Sequence, residues 1–186
     1  ALEGGPLTPE EAMEGLSNGL ISPETHGACD AAWKGLLVAS KDKQFRVAGQ
    51  IIDKCGNKDS SSILWQIARS DKFDSIARSG ASRKLYDLGD KEALHFILAD
   101  MGAPHPVLDH TIQSLPIMKA DPEAVADIVL RKLASNDQMQ TRFAATLLWG
   151  LDTGIEKGID LPLDPAKLRA ALLACKDNAC DSVTWG

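Results

Sequence analysis

The sequence LYDLGDKEALHFIL, residues 85–98, contains a helix end, a tight turn and the beginning of a second helix. Its first apolar stretch ends at Leu88, Gly89-Asp90 is a turn dipeptide, and apolar residues return from Leu94 with helical spacing. The same order occurs 33 residues earlier, where Cys55-Gly56-Asn57-Lys58 precedes Ile63-Leu64. A recurrence of this length is typical of helical repeats, because one helix pair is too small to bury its own apolar face.

Apolar residues at positions i, i+3, i+4 and i+7, the spacing that covers one face of an α-helix, occur throughout the chain. The segments are Cys29/Ala32/Trp33/Leu36, Ala48/Ile51/Ile52/Cys55, Leu64/Ile67/Ala68, Leu94/Ile97/Leu98/Met101, Val125/Ile128/Val129/Leu133, Ala144/Leu147/Leu148/Leu151 and Leu168/Ala171/Leu172/Cys175. No comparable stretch alternates with period 2, so we predict an all-α fold and essentially no sheet. Within that fold, Trp33 is expected in the core.

Helix boundaries are indicated by caps, prolines and glycines. Helix starts are predicted where a capping residue precedes proline, at Thr8-Pro9, Ser22-Pro23, Asp121-Pro122 and Asp164-Pro165. Helix ends closed by a left-handed glycine are predicted at Gly56, Gly89 and Gly102.

The stretch from Ala77 to Ala99 resembles a HEAT repeat, of the short kind found in phycobilisome-lyase-type proteins. The residues that carry this resemblance are Ala81, Leu85, Leu88-Gly89-Asp90, Glu92-Ala93-Leu94 and Ile97-Leu98. It extends over about Asp42 to Ala174 and implies a right-handed α-α superhelix, a HEAT-like solenoid of stacked antiparallel helix hairpins. The pattern is interrupted by two segments, Ala103 to Lys119 with three prolines and the insertion from Gly154 to Pro162.

The resemblance and the chain length together predict a single helical-repeat domain over residues 1–186. Residues 1–21 form an N-terminal extension with one short helix, residues 22–175 the stacked helix pairs, and residues 176–186 a C-terminal tail.

Four cysteines allow two disulfide bridges. Cys29 and Cys55 lie on the apolar faces of consecutive helices, about 12 residues before and about 14 residues after their connection, so an antiparallel hairpin brings them to the same level. Cys175 and Cys180 are close enough in sequence to close a smaller loop in the tail. The alternative is that all four are buried free thiols that act as small apolar residues. Neither their spacing nor any nearby histidine provides a zinc ligand set.

Composition limits the classes of partner. The net charge of −6, with 26 acidic and 20 basic residues, disfavours binding to nucleic acid. It also argues against a protein like the helical-repeat DNA glycosylases, which require a basic groove. No apolar run is long enough to cross a membrane. Two bridges would place the protein in an oxidising space, periplasmic or secreted. The chain starts at Ala1 rather than at methionine, as a mature form freed of its leader or a trimmed chain would.

A catalytic or metal site is suggested by a single segment, His105-Pro106-Val107-Leu108-Asp109-His110. Two imidazoles and a carboxylate within six residues suit acid–base or metal chemistry. The alternative is a proline-rich connection with polar groups in water, and no complete catalytic motif accompanies the segment. We therefore predict no catalytic residues, no metal ligands and no cofactor, and keep a metal-dependent or acid–base hydrolase using His105, Asp109 and His110 as the second hypothesis.

The HEAT resemblance implies that the second helix of each repeat lines a concave face, where a binding surface is expected. Candidate binding residues are the polar and aromatic ones on these helices: Trp65, Gln66, Arg69, His95, Phe96, Asp127, Arg131 and Trp149. Exposed tryptophan and arginine are typical of interface hot spots. The alternative for Trp65 and Trp149 is a contact between neighbouring repeats. The alternative for the concave face as a whole is recognition by the insertion from Gly154 to Pro162 or by the segment from Ala103 to Lys119, since loops on a rigid scaffold often carry function.

These patterns together favour a non-catalytic scaffold that recognises one protein partner, such as a periplasmic immunity protein or an envelope adaptor. No oligomeric state is predicted.

Overall fold

The structure, a computed structural model, describes residues 6–108, 114–152 and 161–175, with the side chains of 114–116, 149–152 and 175 outside the description. Throughout these ranges the regular structure is helical, which confirms the all-α prediction. Each of the seven segments with helical apolar spacing lies in a helix. The chain divides into two compact units, Ala1–Ala93 and Leu94–Gly186.

The first unit is built from helices that bury their apolar faces against one another. Its helices are α1 (Pro9–Ser17), α2 (Ala28–Val38), α3 (Lys41–Cys55), α4 (Ser61–Arg69), α5 (Ser75–Asp87) and the first residues of α6 (Lys91–Gly102). Helix α1 packs against α2 and α3, α2 also contacts α3, and α5 packs against both α3 and α4. The core between them contains Leu36, Ile51, Leu64, Ile67 and Leu85, which are fully buried, and Trp33, which is 3% exposed as expected.

A disulfide joins Cys29 on α2 to Cys55 on α3, with 5.4 Å between the two Cα atoms. This confirms the bridge predicted from the register of the hairpin. Because the helices are connected at residues 39–40 and cross-linked at their other ends, the bridge closes the base of an antiparallel hairpin. The second predicted bridge lies outside the described residues, which include the backbone of Cys175 but not its side chain, and do not include Cys180.

Capping residues define most of the predicted helix starts. Thr8 forms a reciprocal capping box with Glu11, and the hydrogen bonds from Thr8 lower the pKa of that carboxyl group. Asp121 and Asp164 cap the helices that follow them. The prediction at Ser22-Pro23 is wrong, because the Ser22 hydroxyl accepts from the Glu24 amide in a turn and the helix begins only at Ala28. Residues 23–27 offer no apolar face that a longer helix could bury.

The predicted glycine ends are only partly correct. Gly89 follows α5 in the left-handed conformation, with φ of 88°. Gly56 ends α3 with φ of −70°, and Gly102 ends α6 without a positive φ, so the left-handed prediction is wrong for both. The polar residue that follows each glycine has the same role in both copies of the 33-residue recurrence. Asn57 and Asp90 both accept hydrogen bonds from amides at the start of the next element.

The second unit is organised around one helix. It contains most of α6 and the helices α7 (Ser114–Ala120), α8 (Pro122–Leu133), α9 (Gln138–Asp152) and α10 (Pro165–Cys175). Helix α8 packs against α7, α9 and α10, and its Val125, Val129 and Leu133 are fully buried. The sequence pattern did not predict α7, because Pro116 interrupts the segment; the proline falls in the first turn, where a missing N–H is tolerated.

A buried lysine lies in this unit. Lys132 on α8 is 2% exposed, donates from Nζ to the Ala103 carbonyl at 2.6 Å, and lies 5.1 Å above the centre of the Phe143 ring. Burial lowers the pKa of Lys132 below its ordinary value of 10.5, and the neighbouring Arg131 lowers it further, while Asp100 and Asp137 act in the opposite direction. The Lys132 ammonium group holds the Ala103 carbonyl just after α6 in place, and it loses most of its contact with water in doing so.

Candidate protein-binding surface

Helix α4 presents one polar side because its other side is fixed in the core. Asn57 caps the short 3₁₀ turn Lys58–Ser60 that leads into the helix. Leu64, Ile67 and Ala68 are then fully buried, so the intervening positions face outward. Trp65 is half-buried, and Gln66 and Arg69 are exposed. The three candidate binding residues predicted on this helix therefore share one surface.

The Trp65 ring is held in place by a residue from the next turn of the chain. Its indole Nε1 donates to Asp90 Oδ2 at 2.8 Å. The other oxygen of the Asp90 carboxylate accepts from the Glu92 amide at 2.9 Å, at the start of α6. A buried or partly buried indole N–H usually finds such a partner, and here the partner is itself fixed by a helix start. The orientation of the ring is consequently set before any ligand arrives.

Arg69 covers the face of this ring. Its guanidinium carbon lies 4.1 Å from the centre of the Trp65 ring, well within the range of a cation–π contact. The same guanidinium is bridged to Glu92, with 2.5 Å between Nη2 and Oε1. Arg69 remains 53% exposed and Glu92 66% exposed, so the pair is in water and contributes at most about 1 kcal/mol to folding. The arrangement orders an arginine on the surface without burying it.

These side chains line an open depression of about 490 Å³ formed by Ser62, Trp65, Gln66, Arg69 and Ser70. Among the described residues, no hydrogen bond engages the side chains of Ser62 or Gln66. The depression therefore combines an aromatic ring, a fixed cation and free hydroxyl and amide groups. This chemistry is suited to hydrogen bonding with peptide groups and to contact with apolar side chains, and it contains no acid–base pair.

The remaining predicted binding residues are not gathered in this way. On α6, His95 is exposed and Phe96 half-buried. On α8, Asp127 and Arg131 pair with each other at 2.9 Å across one helical turn, and both are largely exposed. The side chain of Trp149 lies outside the described residues.

We call the depression together with Asp90 and Glu92 the Trp65 surface. The sequence did not single out Asp90 and Glu92 as members of a site, although the 33-residue recurrence had placed Asp90 at the turn after α5. Their role depends on the packing of α4 against that turn, which no spacing along the chain reveals.

The histidine segment is only partly described. His105 is exposed in the connection after α6, whereas Asp109 and His110 lie outside the described residues. Among the residues that are described, no three histidine, cysteine or carboxylate side chains form a potential metal site. The hydrolase hypothesis therefore stays a prediction.

Comparison with known proteins identifies no relative from which a function can be transferred: no family model, curated protein or solved structure matches the chain. Within the described residues, no helix has the length and apolar character needed to cross a membrane.

Proposed function

We propose that this chain is a non-catalytic protein-binding module that recognises one protein partner through the Trp65 surface. The observation that carries the proposal is the preorganised pair of Trp65 and Arg69. Trp65 is fixed by Asp90 in the turn before α6, and Arg69 is paired with Glu92 in the first turn of α6. Tryptophan and arginine dominate interface hot spots, and ordering them in advance removes part of the entropy lost on binding.

Trp65 differs from Trp33 in exposure and in what its ring contacts. Trp33 on α2 is 3% exposed and lies in the core of the first unit, as a purely structural tryptophan does. Trp65 is half-buried, and its ring carries an arginine that is itself mostly in water. Packing accounts for the buried part of Trp65 and for its bond to Asp90. Binding accounts, in addition, for the ordered arginine above it.

The scaffold we propose is a stack of helix hairpins of the HEAT kind. In the first unit, helices that are next but one along the chain contact each other, α1 with α3 and α3 with α5. Stacked hairpins produce such contacts, because each helix meets its equivalent in the next hairpin. In the second unit α8 contacts α10 in the same manner.

An oxidising compartment suits this scaffold, and we propose that the protein works in the periplasm or as a secreted protein. The supporting observation is the bridge between Cys29 and Cys55, since reducing compartments keep such pairs as thiols. An immunity protein that blocks a secreted toxin, or an adaptor in envelope assembly, is the kind of binding protein that fits this setting.

The proposal is tested by quantitative affinity capture from the native host, comparing the wild type with Trp65→Ala and Arg69→Ala. Arg83→Ala is the matched control, because Arg83 also pairs with a carboxylate, Asp87 at 2.8 Å, but lies on α5 outside the Trp65 surface. We expect one stoichiometric protein to be retained by the wild type and the control. The affinity of this captured protein for the Trp65→Ala variant should be roughly 30-fold or more below its affinity for the wild type, which is the effect of losing a hot spot worth about 2 kcal/mol.

Circular dichroism and thermal unfolding of each variant separate binding from packing. If Trp65→Ala lowers the melting temperature but binds the captured protein with unchanged affinity, Trp65 is a packing residue and the proposed surface is wrong. A partner whose affinity depends equally on Arg83 would also contradict the assignment of the surface.

A further inference from the structure

The side chains that line the depression of the Trp65 surface offer more hydrogen-bond donors than acceptors. The Ser62 hydroxyl and the Gln66 amide are exposed and have no hydrogen-bond partner in the part of the chain that the structure describes. The Ser70 oxygen accepts from the Lys72 amide at 3.3 Å, so its O–H is left to donate. Arg69 keeps N–H groups that its ion pair does not use. A ligand that is rich in acceptors and poor in donors therefore satisfies this surface best.

These groups form two rows that run side by side along α4. Ser62 and Gln66 are one helical turn apart and Ser70 follows the helix end, so the first row is neutral. Trp65 and Arg69, also one turn apart, form the second row. At a rise of about 1.5 Å per residue, the neutral row is about 12 Å long. A bound segment would meet an aromatic ring on one side and neutral donors on the other.

Charge does not select the occupant of this depression. Arg69 is paired with Glu92, and the Trp65 indole donates to the Asp90 carboxylate. An acidic segment would meet two carboxylates beside one guanidinium. A basic side chain would have to compete with Arg69 for the same carboxylate and the same ring. A neutral segment avoids both conflicts.

Three recurrent modes of peptide recognition differ in what they require of a surface. A bound helix needs an apolar groove, whereas this depression has a single aromatic ring and its other lining side chains are polar. An added strand needs the edge of a sheet, and the described residues contain no strand. A polyproline II segment needs an aromatic ring and donors for its unpaired carbonyls, which the two rows supply.

We infer that the segment of the protein partner that binds the Trp65 surface is neutral, proline-rich and in the polyproline II conformation. A proline ring packs against the exposed part of Trp65, while carbonyls of the segment accept from Gln66 and Ser62. Because proline has no N–H, the segment brings acceptors to the donor-rich row without bringing donors. Its conformation is largely preformed, which reduces the entropy lost on binding.

The length of the neutral row sets the size of the segment. At a rise of about 3.1 Å per residue, about four residues of polyproline II cover the row of about 12 Å. The inference rests on the proposed function, because it names the chemistry of the partner at the surface assigned there.

The test uses the full chain labelled with ¹⁵N and a capped synthetic peptide of about ten residues in which prolines alternate with leucine and alanine. One control peptide has alanine in place of every proline, which restores the N–H groups, and a second is the same proline peptide made of D-amino acids. We expect the L-proline peptide to shift saturably the amide resonances of residues 62–70 and the indole N–H resonance of Trp65, which is assigned by its absence in Trp65→Phe. Its affinity should exceed that of either control at least about tenfold.

A substitution at Gln66 tests the role of the donors. Gln66→Glu keeps the size of the side chain but replaces the donor with an acceptor, so the affinity for the L-proline peptide should fall at least about tenfold. Gln50→Glu is the matched control, because Gln50 is also exposed, has no side-chain hydrogen bond among the described residues, and lies on α3 outside the Trp65 surface. It should bind the peptide like the wild type. Circular dichroism verifies that both variants keep the helix content of the wild type.

The inference is overturned if the L-proline peptide leaves residues 62–70 unshifted, if a control peptide binds equally well, or if Gln66→Glu binds like the wild type. It also fails if affinity capture retains a partner that depends on Trp65 but that an excess of the L-proline peptide does not displace, and in that case the proposed function stands. Failure of the proposed function itself would appear in the capture by Trp65→Ala, which involves no peptide.

Discussion

Removing the bridge between Cys29 and Cys55 should lower the free energy of unfolding of the first unit by about 3.5 kcal/mol. The bridge spans 26 residues of chain, and the entropy that such a loop removes from the unfolded ensemble corresponds to this value at 25 °C. Because whole domains are stabilised by about 5 to 15 kcal/mol, the loss would be a large part of the total.

The perturbation is the double variant Cys29→Ala/Cys55→Ala, which leaves no free thiol at either position. Cys55 is 2% exposed, so its truncation adds a small loss of packing to the entropic effect. Hydrogen exchange of peptides from α2 and α3, followed by mass spectrometry, reports on the affected hairpin. Urea unfolding followed by circular dichroism gives the free energy.

Reduction provides the matched control, since dithiothreitol should destabilise the wild type by a similar amount and should leave this region of the double variant unchanged. A double variant with the same urea midpoint and the same exchange rates in α2 and α3 would refute the reasoning. It would mean that the helix contacts alone determine the stability of the hairpin.

Three other predictions concern helix ends, a surface pair and the buried lysine. Asp121→Ala should destabilise the second unit by about 1 kcal/mol, measured by urea unfolding, because the Asp121 carboxylate caps α8 by accepting from the Ala124 amide at 3.0 Å. Arg131→Ala should change the same free energy by less than about 0.5 kcal/mol, because its pair with Asp127 is exposed; a larger loss would show that this pair has a structural role. Lys132 has a folded-state pKa below its ordinary 10.5, so the unfolded chain binds more protons between those two values. The free energy of unfolding should therefore rise with pH through that window and stay at its lower, constant value below it. Lys132→Met should lack this rise in urea titrations at a series of alkaline pH values, and parallel pH profiles for the two proteins would contradict the assignment.

The helices were predictable because most of them bury a continuous apolar face. The stripe in α3, from Ala48 to Cys55, coincides with residues that are buried in the fold, and its register placed Cys55 opposite Cys29. The error at Ser22-Pro23 shows the limit of local rules. A capping serine can close a turn as readily as it begins a helix, and only an apolar face on the following residues decides between them.

Three residues of the Trp65 surface were predictable for a related reason. Trp65, Gln66 and Arg69 stand beside the apolar stripe of their own helix, so spacing alone identifies them as outward-facing. The acidic partners Asp90 and Glu92 are 25 and 23 residues away from the groups they bind, and they meet them only because the turn after α5 packs beside α4. Spacing along a chain predicts which residues of a helix face outward, whereas tertiary packing determines which side chains from elsewhere in the chain contact them.

Energetics support the proposal that the Trp65 surface is a binding site and not a device that stabilises the fold. The contact of Arg69 with the Trp65 ring contributes about 0.5 to 1 kcal/mol at an exposed position, and the ion pair with Glu92 contributes no more. Ordering an arginine side chain opposes these gains by an amount that is comparable, about 1.5 to 2 kcal/mol at full restriction. Folding therefore gains little from fixing this guanidinium on the indole. A partner bound at the proposed surface would gain more, since the ordering would already be complete and the desolvation of the stacked pair would strengthen both contacts.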